Sequence, residues 1–213
     1  MLRRNGLSNW STRVAVAVTL LTVLSTAASA AQTIFFDDFN GPNGGLDGLN
    51  WSDSAAAIVG EQMCGDVQSF GLYAQPITGK HVRVSYEFSA SDPSGFESYV
   101  VTQAGSQTFL MGCDGGFGEF CTPKIARDTT DLVVGAAVPM VTGKAYRVQG
   151  EIKEGVLTLK ISDPSIPDEC SAVLATLDMD TGTRFTEVGL SVGRKADGKL
   201  TCADDFRVED LDH

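Results

Sequence analysis

Few side chains in this sequence could carry chemistry, and carboxylates dominate them: 27 Asp and Glu stand beside two His and five Cys. Two carboxylates cooperate in cleaving a glycosidic bond only when they share one surface, about 5–5.5 Å apart for a retaining reaction. On a strand that requires an even spacing, because successive side chains alternate between faces. Glu87 with Asp92, and Asp114 with Glu119, have odd spacings and run into turn sequence. Asp178 and Asp180 have the even spacing, but Gly182 and Thr183 follow where a third acid would extend the row. Only His81 and His213 could act as imidazole bases. No G-x-S-x-G elbow accompanies them, and GPNGG and DGGFG read as turns rather than phosphate loops. His81 precedes a strand pattern beside Lys80 and reads as a strand-edge residue. No residue is assigned a catalytic role.

Cys64, Cys113, Cys121, Cys170 and Cys202 contain no C-x-x-C pair, which argues against zinc. In an exported chain such cysteines form disulfides. Cys113 and Cys121 flank the turn DGGFGEF, so a hairpin would bring their sulfurs together; this is the first expected pair. Cys170–Cys202 is the second, which leaves Cys64 free or intermolecular. Aromatic faces stack on sugar rings, and Tyr99, on a strand just after a polar turn, is the first candidate for that role. Trp51 and Tyr73 are the others, while Trp51 and Tyr86 also suit a core.

The elements that must hold these residues have a period of two. HVRVSYEFS puts Val82, Val84, Tyr86 and Phe88 on one face and Arg83, Ser85 and Glu87 on the other. VLTLKIS alternates in the same way, and Glu154-Gly155 joins it to AYRVQGEI as a hairpin. RFTEVGLSV and DDFRVEDL read as late strands. Gly, Pro, Asn and Asp clusters separate the segments, and no stretch has a helical 3.6-residue period. The pattern predicts a single all-β domain, a sandwich or barrel. Asp37-Asp38-Phe39 recurs as Asp204-Asp205-Phe206, so the two terminal strands are placed side by side.

Residues 1–30 have the layout of a secretory signal peptide, with Arg3, Arg4 and Arg13, the apolar run Val14–Val23 and a closing Ala28-Ser29-Ala30. That run falls short of the roughly 20 residues that span a bilayer. Residues 31–213 would then form the domain, with 13 basic against 27 acidic residues, a net charge of −14. Such a surface repels phosphate backbones and anionic membranes, so neither nucleic acid nor a membrane is an expected partner.

The segment FFDDFNGPNGGLDGLNW, Phe35 to Trp51, resembles the opening strand of the concanavalin A-like lectin/glucanase superfamily, in its laminarinase and lichenase branch. Asp37, Asp38, Phe39, Asn40, Gly41, Leu46, Asp47 and Trp51 carry the likeness. Asp204-Asp205-Phe206-Arg207-Val208 is similar to the last strand of that branch, with Asp205 in place of an aromatic residue. Together the two ends cover about 25 residues. The resemblance implies a jelly-roll sandwich of two antiparallel sheets that contacts polysaccharide or glycan on its concave sheet. It also implies a structural calcium held partly by Asp204 and partly by backbone oxygens. The branch's hydrolases carry Glu-x-Asp-x-(x)-Glu on one strand, and this chain has no such run. The expectation is therefore a secreted, disulfide-stabilised module that binds carbohydrate without cleaving it. Two alternatives stay open: a polysaccharide hydrolase or lyase with an unrecognised site, and a structural or adhesive protein that self-associates through Cys64 and its sheet edges.

Overall fold

Strict alternation of apolar and polar side chains lets a strand bury one face and solvate the other, which requires a second sheet to cover the apolar side. A computed structural model describes residues 31–46, 50–52, 56–65, 69–73, 76–77, 79–90, 96–115, 120–163, 173–179, 183–194 and 201–212. The signal-like residues 1–30, Asp47, Asp92, Glu119, Cys170, Asp180, Gly182 and His213 lie outside them.

The first strands are β1 (Gln32–Asp37), β2 (Gly44–Gly45), β3 (Trp51–Ser52), β4 (Ala57–Ile58), β5 (Met63–Gly65) and β6 (Ser69–Tyr73). The long central ones are β7 (His81–Ala90), β8 (Phe96–Ala104), β9 (Gln107–Gly115) and β10 (Phe120–Arg127). After β11 (Thr130–Val134) and β12 (Val138–Pro139) come β13 (Tyr146–Lys153), β14 (Val156–Ser162), β15 (Val173–Asp178), β16 (Glu187–Arg194) and β17 (Thr201–Asp210).

These strands form two antiparallel sheets. A nine-stranded sheet has the order β15-β14-β13-β7-β17-β5-β4-β2, with β1 also on β17. An eight-stranded sheet has the order β11-β10-β9-β8-β16-β6-β3, with β12 also on β10. The expected all-β sandwich is therefore the observed architecture. Glu154 and Gly155 both have positive φ (47° and 83°), as a two-residue hairpin turn between β13 and β14 demands. Among the described residues no helix is long and apolar enough to cross a membrane.

The core lies between the sheets. Val82, Val84, Tyr86 and Phe88 of β7 meet Phe96 and Val100 of β8, Met111 of β9 and Leu190 of β16, all essentially inaccessible. Each such side chain contributes about 1.5–3 kcal/mol relative to exposure. The Tyr86 hydroxyl shares a 2.8 Å hydrogen bond with Ser98 Oγ across the interface, which satisfies the two polar groups in the apolar layer. Gly150 marks a close approach of the sheets: a Cβ there would sit 2.8 Å from Met111 Cε.

The first and last strands do lie side by side, since β1 pairs antiparallel with β17 in a register that sets Asp37 opposite Phe206. An aromatic cluster holds this corner. Phe35 stacks on Tyr73 at 4.3 Å, and Trp51 packs 4.9 Å from Phe206. Phe35 and Phe206 come from the nine-stranded sheet, Trp51 and Tyr73 from the other. The Trp51 indole donates a 2.7 Å bond to Asp37 Oδ2, tying β3 to β1.

Two disulfides are present. Cys113–Cys121 closes the β9–β10 hairpin. The partner of Cys202 is Cys64 rather than Cys170, which corrects the second expected pair and removes the free Cys64. The reason is register: β5 pairs with β17 so that Cys64 and Cys202 stand directly opposite. This link closes 138 residues and the hairpin link only 8. Loop-closure entropy then gives about 5 and about 2.5 kcal/mol respectively. Replacing Cys64 and Cys202 together by Ala is thus expected to lower unfolding free energy about twice as much as replacing Cys113 and Cys121. Urea titrations of the two double variants measure this, and equal losses would show that loop length does not govern the contribution.

Candidate functional site

The outward face of the eight-stranded sheet is built by register. Counting from the two-residue turn at Gly105 (φ +62°), β8 and β9 pair Ala104 with Gln107 and, seven positions further out, Glu97 with Asp114. Ser98 and Val100 point into the core, so Glu97, Tyr99 and Val101 point outward. The same register puts Asp114 and Gly112 of β9, Thr122 and Lys124 of β10, and Gly189, Ser191 and Gly193 of β16 on that face.

Tyr99 is central to the arrangement. Its ring lies against Gly112, where a Cβ would stand 2.7 Å from Tyr99 Cδ1, so only glycine leaves room for it. Lys124 Nζ sits 5.8 Å from the ring centroid, within cation–π range. The same ammonium bonds Asp114 Oδ2 at 2.9 Å and Asp131 Oδ1 at 3.1 Å. Burial opposes charge on Lys124, but its bonds to Asp114 and Asp131 outweigh that and raise its pKa, so it stays cationic. The Tyr99 hydroxyl is pushed far above its usual range, by burial first and then by the charges of Asp114, Glu97 and Asp131. It remains a protonated donor to Asp114.

The three aromatic candidates do not form an exposed sugar platform. Tyr99 is only 2 % exposed, beneath Lys124; Trp51 and Tyr73, at 3 % and 9 %, belong to the inter-sheet cluster. Their large apolar surfaces are used in packing, which corrects the expectation of stacking through these rings. Glu97 was not singled out from sequence. The Gly105-Ser106 pair between two alternating runs was the available signal, because a two-residue hairpin there fixes the partner of every β8 residue.

Asp204 lies at a bulge in β17, where the register against β7 shifts between Asp204 and Arg207 and Asp205 takes φ +50°. Its Oδ1 accepts the Asp205 amide at 2.8 Å. Burial raises its pKa; the Asp205 amide bond works against that, and the charges of Asp205 and Glu87 add to it. Among the described residues no three Asp, Glu, His or Cys side chains gather as metal ligands, so side chains alone do not make a calcium cage here. His81, at the start of β7, bonds Glu151 at 2.8 Å. Burial would raise the Glu151 pKa, but the His81 bond and the charges of His81, Lys160 and Arg83 lower it. Asp178 ends β15.

No protein-family model and no curated protein sequence matches the chain. Solved structures do match its fold. A xylan beta-1,4-xylosidase from Bacillus halodurans superposes with TM-score 0.62 at 17 % identity over 82 % of this chain, which spans only 38 % of that protein. Lectin II from Ulex europaeus gives 0.54 at 18 % identity, covering 82 % of this chain and 96 % of the lectin. LamA from Z. galactanivorans, solved with laminaritriose and laminaritetraose, gives 0.56 at 9 % identity over 84 % and 98 %. The two-sheet architecture, the paired termini and these superpositions together give this chain the concanavalin A-like fold that lectins and glycoside hydrolases share.

Proposed function

We propose that the protein is an exported glycan-binding module that holds saccharide on the outward face of its eight-stranded sheet without cleaving it. The observation that carries this reading is the Lys124–Asp114–Asp131 cluster seated on Tyr99, beside strand positions reduced to Gly112, Gly189, Ser191 and Gly193. Gly112 is filled by the Tyr99 ring and Gly189, Ser191 and Gly193 are buried, so the fixed charges of the cluster are what would supply directional bonds to hydroxyls. The two disulfides suit an oxidising compartment, in keeping with the signal-like start. Lectin II, a lectin, and LamA, solved with laminari-oligosaccharides, share the fold and support the substrate class. The bonding of Cys64 to Cys202 takes away the thiol, one of the two grounds of the self-associating alternative, and leaves its sheet edges.

One observation favours the hydrolase reading instead. Glu97 and Asp114 stand directly opposite on adjacent strands and on the same face, which is how two carboxylates come to flank one bond. Against it, Asp114 is engaged by Lys124 and Tyr99 and so is held as an acceptor. Calcium belongs to the proposal as a stabilising ion at Asp204, supported by the resemblance of the closing strand and by the neighbouring carboxylates of Asp204 and Asp205 at the bulge.

Two experiments test these readings. Binding is measured against laminari-oligosaccharides, xylo-oligosaccharides and a broader glycan panel. One neutral glycan class should bind, Lys124→Met should weaken it at least about tenfold, and no reducing ends should appear. Absence of binding across the panel overturns the glycan reading; reducing ends lost in Glu97→Gln establish the hydrolase. The second uses Asp204→Asn. A carboxyl whose pKa is raised on folding costs stability when ionised and nothing once both states are protonated. The variant should therefore melt higher than the parent at pH 7, and the difference should vanish below the ordinary Asp range. Calcium should raise the parent's Tm and leave Asp204→Asn unmoved; a parent insensitive to calcium and to chelator overturns the calcium proposal.

A further inference from the structure

The opposite surface, the outward face of the nine-stranded sheet, has a different character. Alternation puts Arg83, Ser85 and Glu87 of β7 outward, and the ladder sets Gln149 on one side of Ser85 and Arg207 on the other. Ser85 is short and only 9 % exposed, so the long side chains around it rise past it and enclose a cavity of about 270 Å³. Arg83, Arg147, Arg207 and Gln149 form its walls, with Asp205 and Glu209 completing them. Three of the six arginines beyond residue 30 thus converge on one spot of a strongly acidic chain.

Their hydrogen-bonding capacity is not used up. Each guanidinium offers five N–H donors and no acceptor. Arg83 stands 3.6 Å from Glu209 and 3.8 Å from Glu151, in ion-pair range but beyond a good hydrogen bond, and its buried Nε has no partner. Arg207 has no carboxylate partner among the described residues; its guanidinium lies 5.0 Å over the half-exposed Phe36 ring. Arg147 alone makes a short pair, 2.6 Å to Glu87. A cavity with surplus N–H donors converging from three adjacent, rigid strands matches a planar or tetrahedral oxyanion, which accepts several such bonds at once.

We propose that this cavity is an oxyanion site, floored by Ser85 and held by Arg83, Arg147 and Arg207, that takes the carboxylate or sulfate group of an acidic saccharide. The saccharide part rests on the proposed function, whereas the oxyanion part stands on this cavity alone. It lies on the other sheet from Lys124, so one chain would present two faces: one for neutral sugar hydroxyls and one for acidic substituents.

The test is a titration of the full chain with sulfate, glucuronate and neutral glucose, followed by amide chemical shifts and calorimetry. Sulfate and glucuronate should bind and glucose should not. Arg207→Gln and Arg147→Gln should each weaken binding by about tenfold, and Lys124→Met should leave it unchanged. Both arginine positions are exposed, so these variants are expected to fold, and their melting curves check that. A uronate polymer and a sulfated polymer then distinguish the two sources, and the tighter binder names the group. Absence of anion binding, or binding untouched in both arginine variants, overturns the site. Anion binding without any saccharide-polymer preference would retain the oxyanion site and reject its saccharide assignment. Loss of neutral-glycan binding in Lys124→Met, with anion binding intact, separates this site from the one on the other face.

Discussion

The antiparallel pairing of β1 with β17 is the constraint on which the rest of the structure depends. β17 has β7 along one edge, while its other edge is divided between β5, which takes Thr201–Ala203, and β1, which takes Phe206–Asp210. The nine-stranded sheet is therefore continuous only because the end of the chain lies between segments from its beginning. The bulge at Asp204–Asp205 returns Phe206 to the core, where it meets Trp51, and Trp51 is bonded in turn to Asp37 of β1. Cys64–Cys202 adds a covalent clamp at the β5 end of the same strand. Contacts separated by most of the chain are expensive in loop entropy, so the aromatic cluster and the disulfide act where that cost is concentrated.

This corner also explains which parts of the sequence could be read directly. The β7, β13 and β14 segments were legible because one face of each is more buried than the other, leaving a period of two in the residues themselves; in β16, buried on both faces over Val188–Gly193, only the spacing of Val188, Leu190 and Val192 marked the strand. The repeated DDF tripeptide pointed to the terminal pairing, and β1 and β17 do pair. Cys64 was assigned wrongly because nothing local relates it to Cys202; only the β5–β17 register does. Trp51 and Tyr73 were offered as sugar platforms because a sequence does not say which sheet an aromatic ring will span. They bridge the two sheets, a position visible only after the sheets are stacked. Tyr99 was placed on a strand just after a polar turn, and it does lie on β8, but Lys124 and the ring's bed on Gly112 remove it from solvent.

The two outward faces follow from one rule applied to different neighbours. On one face Asp114 of β9 and Asp131 of β11 are gathered by a single lysine, and the β16 positions beside β8 are small. On β7 the outward positions alternate Arg83, Ser85 and Glu87, and the neighbouring strands answer with charges of opposite sign: Glu151 and Glu209 beside Arg83, Arg147 beside Glu87. Such cross-strand pairs each add only about 0.2–1 kcal/mol, too little to account for three arginines around one serine on stability grounds. A checkerboard chosen for stability alone would place a carboxylate opposite every guanidinium at bonding distance. Here Arg207 packs on Phe36, and Arg83 keeps a buried, unpartnered Nε. Leaving a buried donor unsatisfied costs about 1–3 kcal/mol, more than such a surface pair returns. The local departure from good pairing is therefore the physical reason to look for a ligand on this face as well as on the other.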